Sequence, residues 1–376
     1  MTTAELLSET VEATRIREKC EFDLLAEKAE RRVVLFGAGR LGRKVSAALR
    51  KRGIEPVAFV DNNPRLCGAK VDGINVFVPS AAAELWGDNA LFVVTTFRPA
   101  DGGVCARMNE LAALGCCQIT NFLPLGWKYD GVLPHFGGTL PSCLTASAAA
   151  LRKVASLWRD DISRESFRQA INWRLRADFT ETTPPLPDQY FPRDIILPNP
   201  EESFVDGGAF DGDTLRDARW KFAEVLAIEP DPVSATILRA TCKKTIEVRQ
   251  VLLGNAPGIA RFDGSGTMAS VRTEDAKLEV PVMTLDNLTS EKSPTFIKLD
   301  IEGDELIALQ GGVRMLKRTQ PVVAVCVYHR PEDLWTIPLF LHETLPAHQL
   351  FLRSHAWDGF ELVAYAVPSD RCLHPL

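Results

Sequence analysis

The chain has 376 residues, 46% hydrophobic and 24% charged, with a formal net charge of −6. That length suits two ordinary globular domains, and the acid surplus argues against nucleic acid as the main partner, because phosphate binding wants a basic surface. No apolar run approaches the roughly 20 residues that cross a bilayer, and Met1 to Glu30 lacks an apolar leader, so a cytoplasmic protein without a membrane span is expected.

Residues 2 to about 30 read as a helix, with Leu6, Leu7, Val11 and Ile16 set among charges. Arg32–Phe36 reads as a strand, Leu41–Arg52 as a helix, and Pro56–Val60 and Leu91–Thr96 as strands. Helix Ala106–Leu114 and strand Gln118–Phe122 follow. Such alternation means a parallel sheet with helices on its faces. Gly131–Pro141 is rich in Gly and Pro, Ala146–Phe179 is strongly helical, and Thr182–Pro200 is rich in proline and holds Tyr190 and Phe191. That loop reads equally as a lid or a connector. From Ser203 the alternation resumes, with strands at Ser203–Asp206, Val225–Ile228, Glu247–Leu252, Thr295–Asp300 and Val322–Val327, and an antiparallel pair within Gln349–Val367.

The nine cysteines include no CxxC, and the six histidines no HxxxH or HExxH, so reduced thiols are expected rather than a zinc or disulfide framework.

Gly37-Ala38-Gly39-Arg40-Leu41-Gly42 is a GxGxxG between a strand and a helix. Gly37 permits the tight turn, Gly39 lets a ligand approach the backbone, and Gly42 lets the helix pack on the strand. The helix start offers N–H groups to an anion. Asp61 ends the next strand, where an acid suits ribose hydroxyls. This segment resembles the N-terminal nucleotide-binding modules of bacterial glycan-modifying enzymes. The resemblance implies NAD or a nucleotide-sugar as ligand. The alternative is a domain that has lost its ligand and serves packing.

The second loop differs. Asp206-Gly207-Gly208-Ala209-Phe210-Asp211-Gly212-Asp213-Thr214 lacks GxGxxG and starts on an acid at a strand end. Asp206 suits an amino group or orders the loop, and Gly207 and Gly208 let the backbone pass close to a ligand. Glu229, followed by Pro230, ends the next strand and is placed to accept both ribose hydroxyls. With little phosphate logic, the pattern suits S-adenosylmethionine. Asp206, Gly207, Gly208, Ala209, Asp211, Gly212, Thr214, Glu229, Pro230 and Asp300 are the expected cofactor set.

Further stretches carry a resemblance to the FkbM family of methyltransferases: Val280–Asp286, Phe296-Ile297-Lys298-Leu299-Asp300-Ile301-Glu302-Gly303-Asp304-Glu305 with Gly311-Gly312, Tyr328–Trp335, Leu352–His355 and Tyr365-Ala366. Ala146–Phe191 looks like the helical lead-in of longer members. The resemblance implies a Rossmann-like methyltransferase fold and methylation of a hydroxyl on sugars or polyketides. In family terms, Asn255 and Asp263-Gly264 follow the strand near the adenine, and Gly264–Thr267 is a loop that either closes over ligand or stays on the surface.

Methyl transfer needs the acceptor oxygen in line with methyl and sulfur, and a base to take the hydroxyl proton. Asp300, Glu302 and Glu305 cluster at the C-terminal end of a strand, where open α/β sheets bind ligands. Asp300 and Glu302 are the expected activators, with His329 the alternative base; His329 also reads as a core histidine, and Glu305 as a dipole partner of its helix. Asp300 and Glu302 with a third oxygen ligand would suit Mg²⁺. Asp286 reads either as that ligand or as a turn cap.

The expected architecture is α/β: two Rossmann-like domains with mostly parallel sheets, joined by a helical linker. Residues 1–30 form a helix, 31–130 a nucleotide-binding domain, 131–200 a linker and lid, and 201–376 a methyltransferase domain. The acceptor is a small molecule or glycan, and a homodimer is the default oligomer. Two rivals stand. One is an NAD-dependent oxidoreductase, although no Tyr-x-x-x-Lys follows the first loop. The other is a non-catalytic glycan-pathway binding protein, which the acids Asp61 and Glu229 disfavour.

Overall fold

The computed structural model describes residues 1–97, 102–133, 138–217, 220–241, 246–263 and 278–373. The chain divides into two compact units. The first comprises residues 1–155, 165–185 and 356–360; the second comprises 156–164, 186–355 and 361–376. Residues 131–200, expected as a linker and lid, are thus shared between the units.

In the first unit the expected N-terminal helix is two: α1 (Thr3–Leu6) and α2 (Val11–Lys28). The break is a cap, since Thr10 in extended backbone accepts from the Ala13 amide and starts α2 afresh. Next come β1 (Val33–Phe36), α3 (Arg40–Arg50), β2 (Ala58–Val60), β3 (Lys70–Val71), β4 (Ile74–Phe77), α4 (Pro79–Trp86), β5 (Leu91–Val94), α5 (Gly103–Ala113), β6 (Gln118–Asn121) and α6 (Leu123–Lys128). Then follow α7 (Pro141–Ala146), α8 (Ala148–Ala155) and α9 (Asp161–Arg176), whose first residues belong to the second unit. The sheet order is β3-β4-β2-β1-β5-β6. All pairs are parallel except the β3–β4 hairpin. β1 and β5 are buried at every residue, as strands covered on both faces must be, which is why they read as unbroken apolar runs.

The second unit contains β7 (Ser203–Gly207), α10 (Asp213–Asp217), β8 (Glu224–Ile228), α11 (Pro232–Thr241), β9 (Ile246–Arg249), β10 (Leu252–Leu253), β11 (Gly258–Phe262) and β12 (Leu278–Met283). It continues with α12 (Leu285–Leu288), β13 (Phe296–Leu299), α13 (Glu305–Gln310), α14 (Val313–Thr319), β14 (Val322–Cys326), α15 (Asp333–Thr344), β15 (His348–Ser354) and β16 (Leu362–Pro368). The main sheet runs β15-β16-β14-β13-β7-β8-β9, and β10-β12-β11 form a small separate sheet. The main sheet is parallel except that β16 runs against both β14 and β15, the closing antiparallel pair expected near the C-terminus. From β7 the chain moves outward through β8 and β9, then returns to the other side of β7 with β13. The strand order therefore reverses between β7 and β13, and an open sheet forms its ligand crevice at the C-terminal ends of such strands. Among the described residues no helix is long and apolar enough to cross a membrane.

Candidate active site

The β7 loop is stitched to β8. Gly208 and Ala209 donate to the Ile228 carbonyl at 3.0 and 3.1 Å, and Gly212 donates to the Ala209 carbonyl at 2.8 Å. Gly208 has φ 77°, and a Cβ there would lie 1.8 Å from the Asp300 carbonyl oxygen. It is glycine because the loop crosses the end of β13 at backbone distance. At Gly207 a Cβ would meet Leu299 at 2.7 Å. Both positions were expected to admit a ligand; the structure gives each a packing reason. Ala209 is fully buried. Asp211 pairs with Arg216 at 2.7 Å, and Thr214 lies in the first turn of α10.

Glu229 stands at the end of β8, ahead of Pro230. One of its oxygens accepts from Phe210 N at 2.8 Å and the other from Asp231 N at 2.7 Å. Each carboxylate oxygen keeps a second lone pair for a hydroxyl donor. Burial pushes its pKa above the usual carboxylate range, against those two amides.

Asp206 is fully buried on β7. Lys298 is its register partner on β13, so both side chains leave the same face of the sheet. Its ammonium lies 3.1 Å from Asp206 and donates to the Gly208 carbonyl at 2.7 Å. Of the two roles expected for Asp206, the geometry fits loop ordering, since its carboxylate faces a protein ammonium. The Tyr190 ring covers Lys298 at 5.2 Å.

Asp300, just past β13, accepts from the Tyr190 hydroxyl at 2.7 Å and faces His329 Nε2 at 3.3 Å. Glu302 lies 3.6 Å from the same nitrogen, and Glu305 bonds His329 Nδ1 at 2.8 Å. Glu305 also accepts the Ile301 amide at 2.8 Å. Tyr328 donates to Glu361 at 3.3 Å. The structure thus gathers Asp300, Glu302, Glu305 and His329 into one cluster.

Charge sorts their roles. Burial would lower His329, but Glu305, Asp300 and Glu302 outweigh it and push it up to about 10. That direction favours the imidazolium, which suits an orienting cation better than the alternative base. Burial would raise Asp300, but Lys298 and His329 hold it below the usual range. Glu302 goes the other way: burial, with Asp300 and Glu305 beside it, lifts it to about 7 against the pull of His329. Glu302 also has φ 61°, left-handed backbone in a residue with a Cβ, a strain that gathers at functional sites.

A metal fits this arrangement poorly. Asp300, Glu305 and His329 bring ligand atoms within 4.8 Å of one another, but a set built on an imidazole is not the all-oxygen set that Mg²⁺ prefers. Asp286, read as either a third ligand or a turn cap, accepts the Met315 amide at 2.7 Å and pairs with Arg314 at 3.0 Å. These bonds tie it to the first turn of α14.

Lys298, Tyr190 and Glu361 were missed as site residues. Lys298 had a signal: a lone charge inside an apolar strand must be paired when buried. Tyr190 had only its place in the Thr182–Pro200 loop, read as a lid or a connector, and Glu361, far from the motifs in sequence, had none. Asn255 falls in the turn between β10 and β11. The Gly264–Thr267 loop lies outside the described residues.

In the first unit, Gly37 has φ 116°, and a Cβ on Gly42 would sit 1.8 Å from the Gly37 carbonyl oxygen. Both fit the tight-turn and helix-packing roles. Gly39 faces open space. Asp61 accepts from Ala38 N at 2.9 Å and Asn63 N at 2.8 Å, the same arrangement as Glu229 in the second unit.

Comparison with known proteins bears on both units. The whole chain shares its fold with the crystal structure of the methyltransferase FkbM from Methylobacillus flagellatus KT, at TM-score 0.73 and 23% identity over 94% of this chain and 93% of that one. A stretch of 94 residues, 24% of this chain, is 31% identical to the redox-sensing transcriptional repressor Rex of Clostridioides difficile (strain 630) and spans 44% of that protein's length. The family model of the methyltransferase FkbM domain matches residues 206–355, which carry the β7 loop, Glu229, Lys298 and the carboxylate cluster. Residues 206–355 thus match the FkbM methyltransferase domain, and methyl transfer is the activity this match supports.

Proposed function

We infer that the second unit is an S-adenosylmethionine-dependent O-methyltransferase acting on a hydroxyl of a sugar, glycan or related metabolite. One observation carries the reading: at the β7/β13 reversal, a ribose-type acid, Glu229, and a carboxyl pushed up to about 7, Glu302, end neighbouring parts of one sheet edge. The free lone pairs of Glu229 fit paired ribose hydroxyls, and nothing in the β7 loop calls for a phosphate. When bound, the cofactor supplies an electrophilic methyl on a sulfonium. Glu302 takes the acceptor's hydroxyl proton as its oxygen attacks. His329 keeps Glu302 and Asp300 oriented through its charge. A sugar acceptor agrees with a cluster of carboxylates and tyrosine hydroxyls, groups that bond hydroxyls.

Isothermal titration with S-adenosylhomocysteine tests this. Micromolar binding that Glu229→Ala weakens about tenfold, roughly 1.4 kcal/mol, is expected. No binding by folded wild type would remove the cofactor from the reading.

For the first unit, the open face at Gly39 beside Asp61 favours a nucleotide ligand, NAD or a nucleotide-sugar. Titration with each, beside Asp61→Ala, separates that from a packing domain.

A further inference from the structure

The β7 loop and the carboxylate cluster lie on different strands, yet Lys298 and the Tyr190 ring above it connect them. Lys298 is fully buried in the middle of the sheet. It donates to the Gly208 carbonyl at 2.7 Å and pairs with Asp206 at 3.1 Å. Asp300 lies two residues further along, so its side chain leaves the same face of the strand. The Tyr190 hydroxyl holds Asp300, and the Tyr190 ring roofs the ammonium. Tyr190 arrives there in left-handed backbone, φ 65°, and so does Asp188, φ 58°. Tyr190 N donates to the Tyr365 hydroxyl at 3.2 Å, and that hydroxyl is paired with His355 Nε2 at 2.8 Å. Because His355 Nδ1 donates to the Leu186 carbonyl, Nε2 accepts, and the tyrosine is free to receive the amide. This strained turn is tied down at each end, which is what keeping water from a buried ammonium requires.

The geometry points to Lys298 as a positioning residue that joins the two halves of the site: one ammonium holds the Gly208 loop on the cofactor side and underlies the Tyr190 ring, whose hydroxyl holds Asp300 on the acceptor side. A buried lysine serving only to neutralise Asp206 would need neither the Gly208 carbonyl nor the Tyr190 roof. The cofactor half of this proposal rests on the reading of the β7 loop given above.

The test uses the full chain. Lys298→Met alone strands Asp206 as a buried charge and is expected to unfold the protein, so Asp206→Asn/Lys298→Met removes both charges together. Two readouts are taken, neither of which needs an acceptor. The first is S-adenosylhomocysteine affinity, expected to fall about tenfold as the loop loses its donor. The second is the Asp300 carboxyl, followed by NMR in ¹³C-aspartate protein and assigned with Asp300→Asn. Its titration is expected to move to higher pH by about one unit. Tyr190, His329, Cys326, Glu361, Glu302 and Tyr328 act on the same carboxyl and are unchanged in the variant. In wild type, the Lys298 ¹⁵Nζ signal should respond both to S-adenosylhomocysteine and to titration of Asp300, so the proposal stands or falls even if the double variant does not fold. A folded double variant with either readout unmoved overturns the link, as does a wild-type signal deaf to either. Failure of the cofactor reading looks different: wild type then binds no S-adenosylhomocysteine, and the Asp300 titration alone decides the role of Lys298.

Discussion

Glu302 and His329 sit 3.6 Å apart and are pushed in ways that make one a base and the other a fixed cation. With Glu302 lifted to about 7, its base form grows as pH rises through neutrality. Methyl transfer, followed as S-adenosylhomocysteine release, should therefore climb between pH 6 and 8. Glu302→Gln should remove about 10²–10⁴-fold of the rate while leaving S-adenosylhomocysteine affinity nearly unchanged. A flat pH profile would assign the proton to another group. His329 predicts a stability trend. Its folded pKa, about 10, lies above the unfolded value, so its contribution is full below about 6.5 and is lost as pH rises from there through 10. Urea unfolding should show stability falling over that window. Glu305→Gln should flatten the fall, because Glu305 is the largest influence raising the imidazole. At this scale the motif residues were legible, and their protonation was not. Charge state depends on burial and on partners such as Glu361 that a linear motif does not contain.

At the scale of elements, the two glycine loops separate folding glycines from open ones. Gly208→Ala drives a Cβ into the Asp300 carbonyl in left-handed backbone. Neither atom can yield, so a loss of about 1–3 kcal/mol or more is expected. Gly39→Ala meets nothing and has φ −80°; thermal unfolding should place its cost within about 1 kcal/mol. If Gly39→Ala nonetheless abolishes nucleotide binding by the first unit, that glycine serves a ligand. Strands such as β1, β5 and β14, though only four or five residues long, were legible because burial on both faces demands continuous hydrophobicity. The β3–β4 hairpin was passed over, although its Asp72-Gly73 turn, both with positive φ, is a strong hairpin signal. Its strands are only two and four residues long, too short for alternation to stand out.

On the scale of the whole molecule, the chain leaves and re-enters each unit, so no single cut isolates the second one. Arg353, 1% exposed, shows the consequence. Its guanidinium pairs with Asp160 at 2.6 Å and Asp194 at 2.8 Å and donates to Ser163 at 2.9 Å, all three of them N-terminal to residue 201. A fragment of residues 201–376 would bury this cation without its acids, at a cost of about 3–5 kcal/mol, and would also lack Tyr190. Circular dichroism should find it unfolded, whereas residues 156–376 would keep these partners. The sequence by itself determined that strands and helices alternate twice, that two glycine loops follow the first strand of each sheet, and that an acid ends each second strand. Those are local patterns, set by periodicity, turn chemistry and chain order. Only the tertiary structure decided that β7 and β13 lie side by side, that Lys298 meets Asp206 across them, and that the Tyr190 ring covers Lys298. Strand order in a sheet is fixed by which buried faces fit together, a long-range choice that neighbouring residues in the chain do not encode.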